Sequence, residues 1–202
     1  MTEIIKETRN MGKLEIREVG EGDDKQTHIQ GYALIFDSIS EDMGFREVIS
    51  RGALDNCDLS NVILKFNHND ILARNSKTDG PGSLILTVDD KGLFFDAIPT
   101  DTSYARDLIT NMESGIVSKC SFAFNLDYRD DEAQTWDWAK SNDDFDMRTI
   151  HKIAEISDVS IVVNPAYEST SSTVYKRSKE EYDNDLENEK LKRRLSLELD
   201  LI

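Results

Sequence analysis

The chain has 202 residues, 38% of them hydrophobic, which is enough for one substantial core with an appended segment. Its 24 basic and 40 acidic residues give a net charge of -16, which argues against nucleic acid or an anionic membrane as the main partner, because both attract positive surfaces. Two cysteines, Cys57 and Cys120, lack metal-site spacing and are too few for a disulfide framework. Neither a secretion signal nor a membrane span of about 18 apolar residues is recognisable. We therefore expect a cytosolic protein without a metal or cofactor.

The first half of the chain is rich in short apolar runs that are typical of β-strands. A flexible polar arm is predicted over 1–12, strands over 14–19, 31–36, 45–49 and 62–66, and a short helix over 50–54. The run over 62–66 leads directly to Asn67 and His68, so we expect His68 at a strand end.

A hairpin and a helix follow in the middle of the chain. Apolar runs over 84–88 and 93–98 flank a turn at 89–92, which predicts the hairpin. Apolar residues at helical spacing then predict a helix over 102–114, with Asp101 or Thr102 as its cap and Gly115 at its end. This helix leads into the run 118–124.

The run 118–124 predicts a strand with one exposed hydroxyl, that of Ser121. Strand alternation puts Cys120, Phe122 and Phe124 on one face, and Ser121 with the small Ala123 on the other. A hydroxyl beside a residue that leaves space for a substrate suits a nucleophile, although a lone serine in a strand most often has only a structural role.

The second half of the chain predicts an acidic excursion over 127–147 and a strand over 149–163. The β-runs and one central helix together predict an α+β, mostly β domain over 13–167, with a closed or strongly curved, barrel-like sheet. A linker is predicted over 168–177. The capping-box pair Ser178 and Glu181 then predicts an amphipathic helical tail over 178–202, with an apolar stripe at Leu191, Leu195, Leu199 and Ile202.

A serine nucleophile needs a base within hydrogen-bond reach, and the chain has three histidines. His28 precedes the predicted strand over 31–36 and is assigned to an early strand, and His151 lies in the strand over 149–163, where structural roles are the more common. His68 lies at a strand end among short polar residues, where site residues are frequent. An acid that orients the base could be Asp158 or Glu155, which alternation places on opposite faces of one strand, so that without a bulge only one of them faces the site.

These residues belong to a set of short motifs in a particular order, through which the chain resembles the prohead maturation proteases of tailed bacteriophages. Those enzymes are similar in fold and chemistry to the herpesvirus assemblin proteases. The motifs, spread over about residues 14 to 170, are Gly31-Tyr32-Ala33, Phe45-Arg46-Glu47-Val48-Ile49, Phe66-Asn67-His68-Asn69-Asp70, Ser121-Phe122-Ala123-Phe124, Asp158-Val159-Ser160 and Pro165-Ala166-Tyr167. In this family the serine motif more often has glycine where this chain has Ala123.

The resemblance implies a serine endopeptidase with Ser121 as nucleophile, His68 as general base and Asp158 as the third member, with Glu155 as an alternative. It also implies cleavage of scaffold and capsid-protein extensions, and of the protease itself, inside an assembling procapsid in the host cytoplasm. Activity coupled to homo-oligomerisation or encapsidation is expected.

A second hypothesis belongs to a different class. The acidic charge and the leucine stripe of the tail are also compatible with a catalytically silent assembly or scaffolding protein that retains the protease fold. The dependence of chain cleavage on Ser121 distinguishes these two hypotheses.

Overall fold

The computed structural model describes residues 7–22, 25–139, 144–163 and 169–199, without the side chains of 10–13, 169–174 and 197–199. The chain divides into two compact units, Met1–Tyr167 and Glu168–Ile202. The described elements are β1 (Glu7–Val19), β2 (Gln26–Ile35), β3 (Arg46–Ile49), β4 (Ile63–Phe66), β5 (Asp70–Arg74), β6 (Ser83–Val88), β7 (Gly92–Ile98), α1 (Ser103–Glu113), β8 (Lys119–Asn125), β9 (Gln134–Asp137), β10 (Met147–Ile150), β11 (Glu155–Val162) and α2 (Ser169–Leu199). The predicted α+β, mostly β class is confirmed.

Eight strands of the first unit pair in the order β1-β2-β7-β6-β5-β4-β11-β8, and β8 pairs with β1, so the sheet closes as a barrel. Most neighbouring pairs are antiparallel, but β4 runs parallel to β11, and β5 runs parallel to β6. Strand β8, which carries Ser121, therefore lies between β1 and β11, with a partner on each edge.

The barrel core follows from the alternation of apolar residues along its strands. In β7, Leu93, Phe95 and Ala97 are buried, and the residues between them are half-buried. A strand has a side-chain period of two, so this pattern directs one face of β7 inward. The hairpin of β6 and β7 has the predicted position, and Thr102 caps α1 by accepting a hydrogen bond from the Ala105 backbone N–H.

A smaller sheet of order β3-β10-β9, also within the first unit, is linked to the barrel through buried charges. The Arg148 guanidinium binds the carboxylates of Glu7 and Glu47, with Nη1–Oε2 distances of 2.6 and 2.9 Å. Arg9 binds the same two carboxylates, with an Nη2–Oε2 distance of 2.6 Å to Glu7 and an Nε–Oε1 distance of 2.5 Å to Glu47. All four side chains are almost fully buried. Two positive and two negative charges thus tie β1 to β3 and β10.

Four boundaries differ from those predicted from the sequence. β1 begins at Glu7, within the predicted arm of 1–12. Residues 51–56 form successive turns and not a helix, and the predicted strand over 149–163 is two strands, β10 and β11. β5, a short strand with charged residues at both ends, was not predicted.

In the described residues of the second unit, the helix α2 begins at Ser169, so residues 169–177 of the linker predicted over 168–177 are helical. Leu191 and Leu195 are about half exposed. The Pro165-Ala166-Tyr167 motif and Ile202 lie outside the described residues, as does the side chain of Leu199. Neither described helix is long and apolar enough to cross a membrane.

Candidate active site

The predicted nucleophile and acid lie on the face of the sheet that points away from the barrel core. In the pairing of β8 with β11, Ser121 lies opposite Ser160, and Ala123 lies opposite Asp158. Residues that pair directly lie on the same face of a sheet. The residues next to them in sequence, Phe122 and Val159, belong to the barrel core on the opposite face. The strand order thus brings Ser121 and Asp158 onto one surface.

A bulge in β11 changes which residues before Asp158 lie on this surface. Ile156 pairs with Phe124 and Asp158 pairs with Ala123, so Ser157 is an extra residue in the ladder. Asp158 shares the face of Ser121, as Ser160 does, while the bulge turns Ile156 into the core. It also puts Glu155, opposite Asn125, on the same face as Asp158, so the alternation that separates the two acids in the sequence does not hold at this point.

His68 enters the site from a tight turn between β4 and β5. Asn67 and His68 have φ values of 49° and 58°, and the Asn69 N–H donates to the Phe66 carbonyl. Positive φ at both central residues is the pattern of a type I′ turn, which readily joins two antiparallel strands. For a histidine this left-handed conformation is uncommon, so neighbouring groups must hold it.

Two side-chain oxygens hold the turn against β11. The buried Ser160 hydroxyl accepts the His68 backbone N–H at 2.7 Å and donates to the Lys65 carbonyl at 3.3 Å. The Asn67 side-chain oxygen accepts the Val163 backbone N–H at 3.1 Å. The position of the imidazole therefore depends on strand β11 as well as on its own turn.

The three predicted side chains form one hydrogen-bond chain. The Nδ1 atom of His68 is 2.6 Å from Oδ1 of Asp158, and its Nε2 atom is 3.0 Å from Oγ of Ser121. A carboxylate can only accept, so in the neutral imidazole Nδ1 carries the proton and Nε2 accepts from the serine hydroxyl. This geometry allows Ser121 to lose its proton to His68 while Asp158 fixes the tautomer.

The site is more enclosed than the sequence predicts. Ser121 is 2% exposed and Ala123 is fully buried, so the expected displayed hydroxyl and open space beside it are absent from this conformation. Of the three hydrogen-bonded residues, His68 is the most exposed, with 17% of its side chain accessible to solvent. Cys120 does not compete as a nucleophile, because burial, with a contribution from the Asp158 charge, raises its pKa to about 12.

The other candidates lie elsewhere. Glu155 pairs with Asn125 at the start of β11 and accepts from its side-chain amide at 2.9 Å. His28 binds Asp96 at 2.7 Å, between β2 and β7. His151 lies 2.9 Å from the Thr135 hydroxyl, beside the smaller sheet.

Two further residues of the site were not predicted. Lys65 lies on β4 with its Nζ atom 3.4 Å from Oδ2 of Asp158, and Ser160 holds the His68 backbone. Ser160 was part of the Asp158-Val159-Ser160 motif, which was a usable signal. Lys65 lies in an apolar strand, and nothing in the sequence marked it as part of the site.

Comparisons with known proteins bear on the family of this chain. A family model described as caudovirus prohead serine protease matches residues 12–185. The solved structure of the capsid assembly protease of bacteriophage T4 is similar with a TM-score of 0.46 and 11% identity, covering 81% of this chain and 100% of that one. A comparison with curated proteins gives no match. Since the family model covers most of the sequence, from β1 to within α2, the chain belongs to the caudovirus prohead serine protease family.

Proposed function

We infer that this protein is a serine endopeptidase that cleaves scaffold and capsid-protein extensions, and itself, during procapsid maturation. The observation that carries the proposal is the hydrogen-bond chain from Asp158 through His68 to Ser121, with distances of 2.6 and 3.0 Å. Membership of the prohead protease family supports the biological setting, the inside of an assembling procapsid in the host cytoplasm.

The reaction is acyl transfer. His68 Nε2 takes the Ser121 proton as Oγ attacks the scissile carbonyl, and the resulting imidazolium lies against the Asp158 carboxylate. The imidazolium then gives its proton to the leaving amine, and a water molecule, activated in the same way, hydrolyses the acyl-enzyme. Backbone N–H groups hold the oxyanion in this class of reaction.

The enclosure of Ser121 supports latency before assembly. Only 2% of this residue is exposed, so a peptide must displace neighbouring groups to reach Oγ. Contacts between copies of the chain, or with the capsid and scaffold proteins, would supply the free energy for that rearrangement. Activity is therefore coupled to oligomerisation or encapsidation.

The first test is co-expression with the neighbouring capsid and scaffold proteins, with chain masses followed over time. Ser121→Ala should abolish processing, whereas Ser118→Ala, which changes an exposed serine just before the same strand, should leave it intact. Processing that continues unchanged in Ser121→Ala would assign the cleavage to another protease. Particles that form without processing in either chain would favour the silent assembly protein.

The second test separates the two acids. Asp158→Asn should lower the processing rate on the order of 10⁴-fold, because the asparagine favours the wrong imidazole tautomer. Glu155→Gln should retain activity close to that of the unmodified chain, because Glu155 binds Asn125. The opposite ranking of these two variants would move the orienting role to Glu155.

A further inference from the structure

The buried carboxylate of Asp158 has a second charged neighbour besides His68. Its Oδ1 atom lies 2.6 Å from His68 Nδ1, and its Oδ2 atom lies 3.4 Å from Nζ of Lys65. Asp158 is fully buried, whereas 19% of the Lys65 side chain is exposed. Burying a charged carboxylate costs free energy unless a positive charge pairs with it. A neutral imidazole carries no charge, so the Lys65 ammonium group is the neighbour that offsets the charge of Asp158.

The fold fixes Lys65 in relation to both partners. In the parallel pairing of β4 with β11, Lys65 lies opposite Ser160, and Ile63 lies opposite Asp158. The Lys65 carbonyl accepts from the Ser160 hydroxyl, which also holds the His68 backbone. The ammonium group and the imidazole thus approach one carboxylate from the same short segment of chain.

The titratable groups nearest the imidazole in the fold lie on four strands. Lys65 is positive and Asp158 negative, Cys120 on β8 stays a neutral thiol, and Asp70 begins β5 beyond the turn. With Lys65 present, the ammonium and the Asp158 carboxylate sum to zero before the reaction. During the reaction, the positive imidazolium of His68 and the negative oxyanion form together, and their charges also sum to zero. Without Lys65, the oxyanion would form beside a net negative charge.

We propose that Lys65 is a positioning residue that acts through Asp158: its ammonium group offsets the charge of this carboxylate and so sets the pH range over which His68 binds a proton. This inference rests on the proposed function, in which His68 is the general base. A positive charge near the imidazole opposes its protonation, so the base releases its proton more readily than it would beside Asp158 alone.

The experiment follows the imidazole signals of the full-length chain by NMR as a function of pH. The chain has three histidines, and the signal absent from a His68→Gln variant identifies His68. In Lys65→Met, the titration midpoint of His68 should rise by about one pH unit, because a positive charge a few ångströms away is removed. His28 and His151 are internal controls whose midpoints should not move.

Two further variants separate charge from structure. Lys65→Arg keeps the positive charge and should leave the His68 midpoint near that of the unmodified chain. Lys119→Met removes an exposed charge from β8 and should have little effect, because water and salt screen it. If Lys65→Met does not fold, Lys65→Gln removes the charge, keeps a hydrogen-bond donor, and should show the same rise.

A His68 midpoint that is equal in Lys65→Met, or in Lys65→Gln, and in the unmodified chain overturns the inference. That result leaves the proposed function standing, because its test is the dependence of processing on Ser121. Conversely, a raised midpoint together with processing that survives Ser121→Ala supports the coupling of Lys65 to His68 and refutes the peptidase assignment.

Discussion

At the scale of single residues, the most constrained group in the site is the backbone of His68. Its φ of 58° is uncommon for a residue with a β-carbon, and the Ser160 hydroxyl accepts its N–H at 2.7 Å. Backbone strain at a functional residue persists where the surroundings hold it. Ser160 thus holds the proposed base through its backbone N–H.

We expect Ser160→Ala to lower kcat/KM about tenfold or more, mainly through kcat. The variant removes the acceptor of a buried N–H, which costs about 1–3 kcal/mol and frees the turn to relax. Ser157→Ala is the matched control, because this serine lies in the bulge of the same strand and only donates to the Ala123 carbonyl, at 3.4 Å. If steady-state kinetics give both variants the same kcat, Ser160 does not position His68.

At the scale of elements, the buried charges of the smaller sheet determine how the start of β1 is held. Glu7 and Arg9 pair with Phe124 and Phe122 of β8, so they lie beside the nucleophile strand. Arg148 reaches Glu7 and Glu47 from β10. Removing one partner of such a network leaves buried charge uncompensated.

Arg148→Leu should therefore lower the free energy of unfolding by about 3–5 kcal/mol. Lys152, just beyond the same strand, offers a matched control, because it pairs with Asp130 and Glu132 at the surface. Lys152→Met should leave the free energy of unfolding nearly unchanged. Urea denaturation of both variants measures the difference, and equal stabilities would show that the network contributes little.

The sequence allowed the alternating strands, the β6–β7 hairpin and α1 to be predicted, because period and capping are local signals. Ser121 and His68 were candidates from their residue types and positions, and only the family resemblance put Asp158 ahead of Glu155. The bulge at Ser157 was not predictable, since an extra residue in a ladder is defined only against the partner strand. β5 was missed because five residues with charged ends show little alternation. Lys65 was missed because its role depends on the parallel pairing of β4 with β11.

At the scale of the whole molecule, stability depends on pH through the acidic groups that folding buries. The charges of Arg148 and Arg9, and hydrogen bonds from Arg148 and Tyr128, outweigh the opposing effect of burial and lower the pKa of Glu7 from 4.5 to about 2. Because the folded-state pKa is the lower one, the stabilisation from this group is complete above about pH 4.5. It is lost as the pH falls towards about 2.

Unfolding free energies measured between pH 7 and pH 2 test this assignment. The unmodified chain should lose stability across the window from 4.5 to 2, and Glu7→Gln, which cannot ionise, should start lower at pH 7 and show a shallower slope there. If the unfolding free energies of the two chains fall with pH in parallel, carboxylates other than Glu7 cause the loss of stability in acid.

The strand order also bears on when a newly made chain can first act. Asp158 and Ser160 lie on β11, the last strand of the barrel, which is inserted between β4 and β8. A ribosome-bound chain that has emerged only to β10 contains His68 and Ser121 but neither the acid nor the hydroxyl that holds the turn. Such a chain cannot close its barrel, so the proposed peptidase would be delayed during translation until nearly the entire first unit is available for folding.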